Sequence, residues 1–105
     1  MQKNCTTDTE GEYRVVRLGG EVDLSWSQTV RRAVLDALAE SSKVAVNLAG
    51  VSYIDSSGIA ALVEGFQQAR SRGQSFVLVE CSPQVLAVLK LARLDKVFAL
   101  RDRLE

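Results

Sequence analysis

The chain has 105 residues, 47% of them hydrophobic, and its 13 Lys and Arg are balanced by 13 Asp and Glu to a formal net charge of zero. That balance excludes the broad basic footprint of a nucleic-acid or anionic-membrane binder, and the length suits one domain, residues 1–105, with one hydrophobic core. Histidine is absent, which excludes a Ser-His-Asp hydrolase and an imidazole metal site; Cys5 and Cys81, far apart in sequence, read as free thiols of a reducing compartment.

The first ten residues, MQKNCTTDTE, have a poor pattern and are at best a weak edge strand pairing back across Gly11. EYRVVRL, residues 12–18, mixes β-branched and aromatic residues with charges as a half-exposed strand does, and LGGE stops the run. From Ser25 onward Val30, Ala33, Val34, Ala37 and Leu38 recur at helical spacing, with Ser25 or Ser27 as the expected N-cap. KVAVNL, residues 43–48, reads as a central strand running on to an end near Ile54.

After Asp55-Ser56-Ser57-Gly58, helical spacing returns at Ile59, Leu62, Val63, Phe66 and Ala69, and Gly73 ends it. SFVLVE, residues 75–80, is a second central strand. Ser82 offers an N-cap with Pro83 at the first helical position, and Val85, Val88, Leu89 and Ala92 give the third helix its face. KVFAL, residues 96–100, is a short strand, and the RDRLE tail frays or forms a last helical turn. The predicted fold class is α/β, a mixed sheet of four or five strands flanked by helices that begin near Ser25, Ser56 and Ser82. Val46, Leu48, Leu62, Phe66, Val77 and Val79 are the predicted core.

Strand followed at once by helix puts Asp55, Ser56, Ser57 and Gly58 at the carboxyl end of the sheet, on a helix N-terminus with unpaired N–H groups. Two readings fit. Ser or Asp caps the helix, or the same electrostatics suit a phosphate on serine. Two hydroxyls and a carboxylate exceed what one cap requires, and Gly58 removes bulk so that a partner's backbone can approach.

GEVDL at Gly20 to Leu24 and DSSG at Asp55 to Gly58, in this order and spacing, resemble the STAS domain family, bacterial anti-sigma factor antagonists controlled by phosphorylation. The resemblance runs from about Tyr13 to Phe98. It implies a STAS-like domain that is a non-enzymatic switch without a cofactor. Its first serine after the aspartate, here Ser56, is phosphorylated by a partner anti-sigma factor that is an ATP-dependent serine kinase. Unphosphorylated, such an antagonist binds the kinase and frees its sigma factor; phosphorylation abolishes binding, and a phosphatase restores it. Asp23 matches a family position beside the phosphorylation site. The implied partner-binding residues are Glu21, Asp23, Ser25, Asp55, Ser56, Ser57 and Gly58.

The same resemblance extends to an alternative, a STAS subunit of a bacterial lipid-transport ABC complex that binds and regulates its ATPase. An enzyme using Ser56 as nucleophile lacks an activating base near the motif. Trp26 is an interface anchor if exposed and a helix staple if not, Arg31, Arg32, Arg70 and Arg72 read as solvated helix faces, and Cys81 reads as a small hydrophobe. No signal-peptide stretch and no run of ~18 apolar residues occurs, so the expectation is a cytoplasmic protein without membrane insertion, a monomer or weak dimer when free.

Overall fold

A computed structural model describes residues 3–104. The elements follow as β1 (Asn4–Glu10), β2 (Tyr13–Val22), α1 (Ser27–Glu40), β3 (Lys43–Ile54), α2 (Ser56–Ser71), β4 (Ser75–Val79), α3 (Pro83–Leu91) and β5 (Ala99–Arg101). All five strands join one sheet whose spatial order is the chain order, β1-β2-β3-β4-β5. β1 pairs antiparallel with β2, and every later pair is parallel.

The weak N-terminal strand exists. Glu10 pairs with Tyr13, leaving a two-residue loop in which Gly11, at φ +62°, supplies the positive φ such a hairpin needs. Apart from the half-buried Cys5, its side chains are exposed, which is why its pattern carries so little hydrophobic signal.

A parallel sheet built steadily in one direction through right-handed crossovers must carry all its helices on one face. The core shows this. Val30, Val34 and Leu38 of α1, Ile59 and Leu62 of α2, and Val85 and Leu89 of α3 share one cluster with Val16, Val44, Val46 and Leu78 of the strands. The opposite face holds a small second cluster, Val15, Ala45, Val77 and Val79, with Tyr13 and Leu104 packed on it. No helix covers this face among the described residues. Its flanks carry polar pairs instead: Arg17 with Asp8 and Glu10, Lys43 with Glu12, and Asn47 with Glu80.

Three sequence expectations need correction. β2 does not stop at Leu18 but crosses Gly19 and Gly20 to Val22, with register shifts against β3 on both sides of that pair. The strand predicted over 96–100 is only Ala99–Arg101, because the amides of Val97 and Phe98 bond back to the Leu94 carbonyl and are lost to the ladder. Phe98 is buried in the core from this turn. Phe66 is half-buried rather than central, and its ring meets Phe98 edge-on with centroids 5.5 Å apart. Val46, Leu48, Leu62, Val77 and Val79 are buried as expected, although Val77 and Val79 line the second face.

Candidate functional site

β2 and β3 end side by side. Val22 and Ile54 are the last registered pair, and the Asp55 amide donates to the Val22 carbonyl at 3.2 Å. The next residues, Asp23 and Asp55, therefore leave the sheet from neighbouring strand ends, which lie about 4.8 Å apart in such a ladder. The register shifts around Gly19 to Glu21 sit just before this point, where an irregularity changes the direction in which the strand delivers its last residues. DSSG thus stands at the carboxyl end of the sheet, beside the GEVDL loop.

Asp55, not a serine, caps α2. Its Oδ1 accepts the Ser57 and Gly58 amides at 3.0 and 3.2 Å and the Ser57 hydroxyl at 2.6 Å. The Ser57 hydroxyl is the largest influence holding the Asp55 carboxyl below its ordinary range; partial burial and the charge of Asp23 push the other way. Ser57 is half-buried and committed to this bond. Ser56 differs in both respects. It is exposed at the first helical position, and its hydroxyl makes no hydrogen bond to any described residue. Gly58 does not open the surface to a partner as expected. It is buried, and a Cβ there would meet Val22 Cγ1 at 2.7 Å, Ile54 Cγ1 at 2.8 Å and the Val22 carbonyl at 2.8 Å, so its missing side chain makes room for the chain's own β2 and β3.

The start of α1 is built otherwise. Neither Ser25 nor Ser27 caps it: the N-cap is Trp26, which makes no side-chain capping bond, and Ser27 donates to the Leu24 carbonyl at 3.3 Å. Trp26 is half-buried against the core, so it staples rather than anchors. The Ser25 hydroxyl donates to Asp23 Oδ1 at 2.6 Å, and Lys3 Nζ reaches the same oxygen at 2.9 Å and Ser25 Oγ at 2.8 Å. The Ser25 hydroxyl first, and Lys3 second, hold the Asp23 carboxyl below its ordinary range. Glu21, registered opposite the half-exposed Tyr53, points to solvent.

The structure therefore gathers Glu21, Asp23, Ser25 and Asp55 to Gly58 at one end. Two further features carried little signal in the sequence. Lys3 is one cation in a polar run. Leu24 is 76% exposed although VDL reads as strand-like, and with Gln28, Arg31, Ser57, Ala60 and Glu64 it lines a groove of ≈ 240 Å³ between α1 and α2. Arg31 is not a merely solvated residue but forks onto Glu64, with both contacts at 2.8 Å. Burial pushes the Cys81 thiol above its usual range, which makes it a poor nucleophile. Among the described residues no three His, Cys, Asp or Glu group to hold a metal, and no helix is long and apolar enough to cross a membrane.

What this end offers is an exposed serine hydroxyl, without a hydrogen bond to any described residue, on a capped helix start next to Asp55 and near the Asp23–Lys3 pair. The anti-sigma-B factor antagonist of Staphylococcus epidermidis is 26% identical over 103 residues, covering 97% of this chain and 90% of that protein. In solved structures, the fold matches an anti-sigma factor antagonist from Mycobacterium paratuberculosis with a TM-score of 0.88 at 21% identity, covering 98% of this chain and 88% of the other. It also matches the phosphorylated form of the Bacillus cell fate determinant SpoIIAA with a TM-score of 0.72 at 20% identity, covering 92% and 90%. The STAS domain model matches residues 4–105, so the chain belongs to the STAS domain family.

Proposed function

We propose that this chain, as a single STAS module of the cytoplasm, antagonises an anti-sigma factor that is also its serine kinase, and that phosphorylation of Ser56 controls the contact. One observation carries the residue choice: of the two adjacent hydroxyls, Ser57 is tied to Asp55 while Ser56 is exposed and bonds to no described residue. The names of relatives support the partner class, an anti-sigma factor.

In the transfer, the Ser56 Oγ forms a bond to the γ-phosphorus of ATP held by the kinase. The bond to the bridging oxygen breaks, ADP leaves with that electron pair, and the hydroxyl proton is released. A phosphatase reverses the state by hydrolysis, returning the serine and inorganic phosphate. The phosphate brings roughly −1.5 to −2 charges to a helix start whose dipole and amides favour them, so the fold tolerates it. The partner does not. It must bury a dianion where a small hydroxyl had packed, beside Asp23 and Asp55, and a desolvated charge that is not fully compensated costs several kcal/mol.

The test uses the kinase partner captured from native cells and radiolabelled ATP. Ser56→Asp melts like the parent but loses the partner by about a hundredfold or more, on the order of 3 kcal/mol. Ser56→Ala binds constitutively and takes no label, and Ser57→Ala still takes it. Label on Ser57 alone overturns the residue assignment, and full affinity in Ser56→Asp overturns the switch.

A further inference from the structure

We propose that Lys3 is the counter-ion this chain keeps for a phosphate on Ser56: its ammonium rests on Asp23 and Ser25 while Ser56 is a free hydroxyl, and moves to share the phosphate once one is attached. The proposal rests on Ser56 being the modified residue. Its basis is the placement of charge around that hydroxyl.

Glu21 on β2, Asp23 in the loop after it and Asp55 before α2 are the carboxylates at this end, and the field of Asp23 reaches Asp55. Lys3 is the cation bound among them. Arg31 of α1 lies in the adjoining groove but is committed to Glu64 of α2 by a two-point fork. Attaching a dianion to Ser56 therefore loads more negative charge onto an end where, among the described residues, Lys3 is the cation paired with a carboxylate of the site.

The distances permit the move. Asp23 and Asp55 follow a registered pair of parallel strands, about 4.8 Å apart, and Ser56 is the next residue, about 3.8 Å further along the chain. A lysine ammonium on a flexible four-carbon stem, already seated on Asp23, has about that gap to cross. Asp23 holds the lysine through one oxygen. The pair is part-buried, with side-chain exposures of 27% and 31%, and it is a single contact rather than a two-point fork. Asp23 keeps the Ser25 hydroxyl at 2.6 Å when the lysine departs, and the phosphate offers three strong acceptor oxygens where Lys3 now uses one carboxylate oxygen and a hydroxyl.

The experiment is a phosphorus NMR titration of the chain with phosphoserine installed at position 56 during translation, compared in the Lys3→Met and Lys3→Arg backgrounds at low salt. In the parent, Lys3 favours the dianion, so the second ionisation of the phosphate falls at lower pH than in Lys3→Met, by roughly half a pH unit. Lys3→Arg stays with the parent, and the gap narrows as salt is raised. Thermal melts of the three proteins lie close together, since Lys3 precedes β1 and its contacts among the described residues are those to Asp23 and Ser25. Superposed titrations of parent and Lys3→Met overturn the proposal. Because no kinase is used, that result leaves the Ser56 switch standing. Conversely, label appearing only on Ser57 removes the switch without altering the titration.

Discussion

Two helix starts stand on adjacent strand ends, and they spend the same residue types differently. At α2 the carboxylate of Asp55 turns inward to its own helix, taking two amides and a hydroxyl on one oxygen. At α1 the carboxylate of Asp23 turns outward to Ser25 and Lys3, and the helix begins at Trp26 without a side-chain cap. The first arrangement fixes a backbone; the second holds a loop by contacts open to water. Asp and Ser near a helix start therefore do not specify a cap. What decides is which amide lies within reach when the strand ends, and at α2 Gly58 draws the first turn against Val22 and Ile54 so closely that Asp55 has its amides beside it.

The contrast predicts where the molecule breaks. The largest loss belongs to Gly58→Ala, whose new methyl meets a carbonyl that has no room to yield; urea denaturation registers a loss of about 1 to 3 kcal/mol. Next comes Asp55→Ala, about 1 kcal/mol by the same measurement, as for other lost N-caps, with Asp55→Asn retaining most of the stability. Acid sharpens the comparison. The Asp55 carboxyl is held below its unfolded value, so its contribution is present at neutral pH and fades as pH falls below about 4 and on through the lowered folded value. The stability difference between the parent and Asp55→Asn shrinks over that range when denaturation is repeated at successive pH values. The smallest effect is Ser25→Ala at the α1 loop, within about 0.5 kcal/mol, because the hydroxyl it removes caps nothing. A loss at Ser25 equal to that at Asp55 breaks the contrast.

Elements whose hydrophobic residues face one core are legible in the sequence, and so is the position of Asp55 to Gly58 at the start of α2. The period of α1 and α2, the continuous β-branched runs of β3 and β4, and the Ser82-Pro83 start of α3 all stand where they were read. DSSG fell at the carboxyl end of the sheet because strand and helix touch there without a loop. What escaped depends on contacts distant in sequence. β1 is an edge strand held by backbone bonds, so its side chains advertise nothing. Gly58 reads as an open surface until Val22, 36 positions earlier, is packed on it. Lys3 acquires a role only when the hairpin brings it to Asp23. Phe66 has the period of a core residue, but α2 turns it to the rim, where it meets Phe98.

The sheet's order has a last consequence, in time rather than in space. Because strand order is chain order, each strand pairs with its immediate predecessor in the chain, and no strand must be inserted between two that have paired. The closures are those of successive strand-helix-strand units, so the entropy lost at each step is that of a short loop rather than of the whole chain. Growth from the N-terminal end leaves one edge advancing, first β2, then β3, then β4, and each helix covers the face just extended. The two acidic strand ends beside Ser56 come together when β3 docks on β2, a pairing that needs neither β4 nor β5.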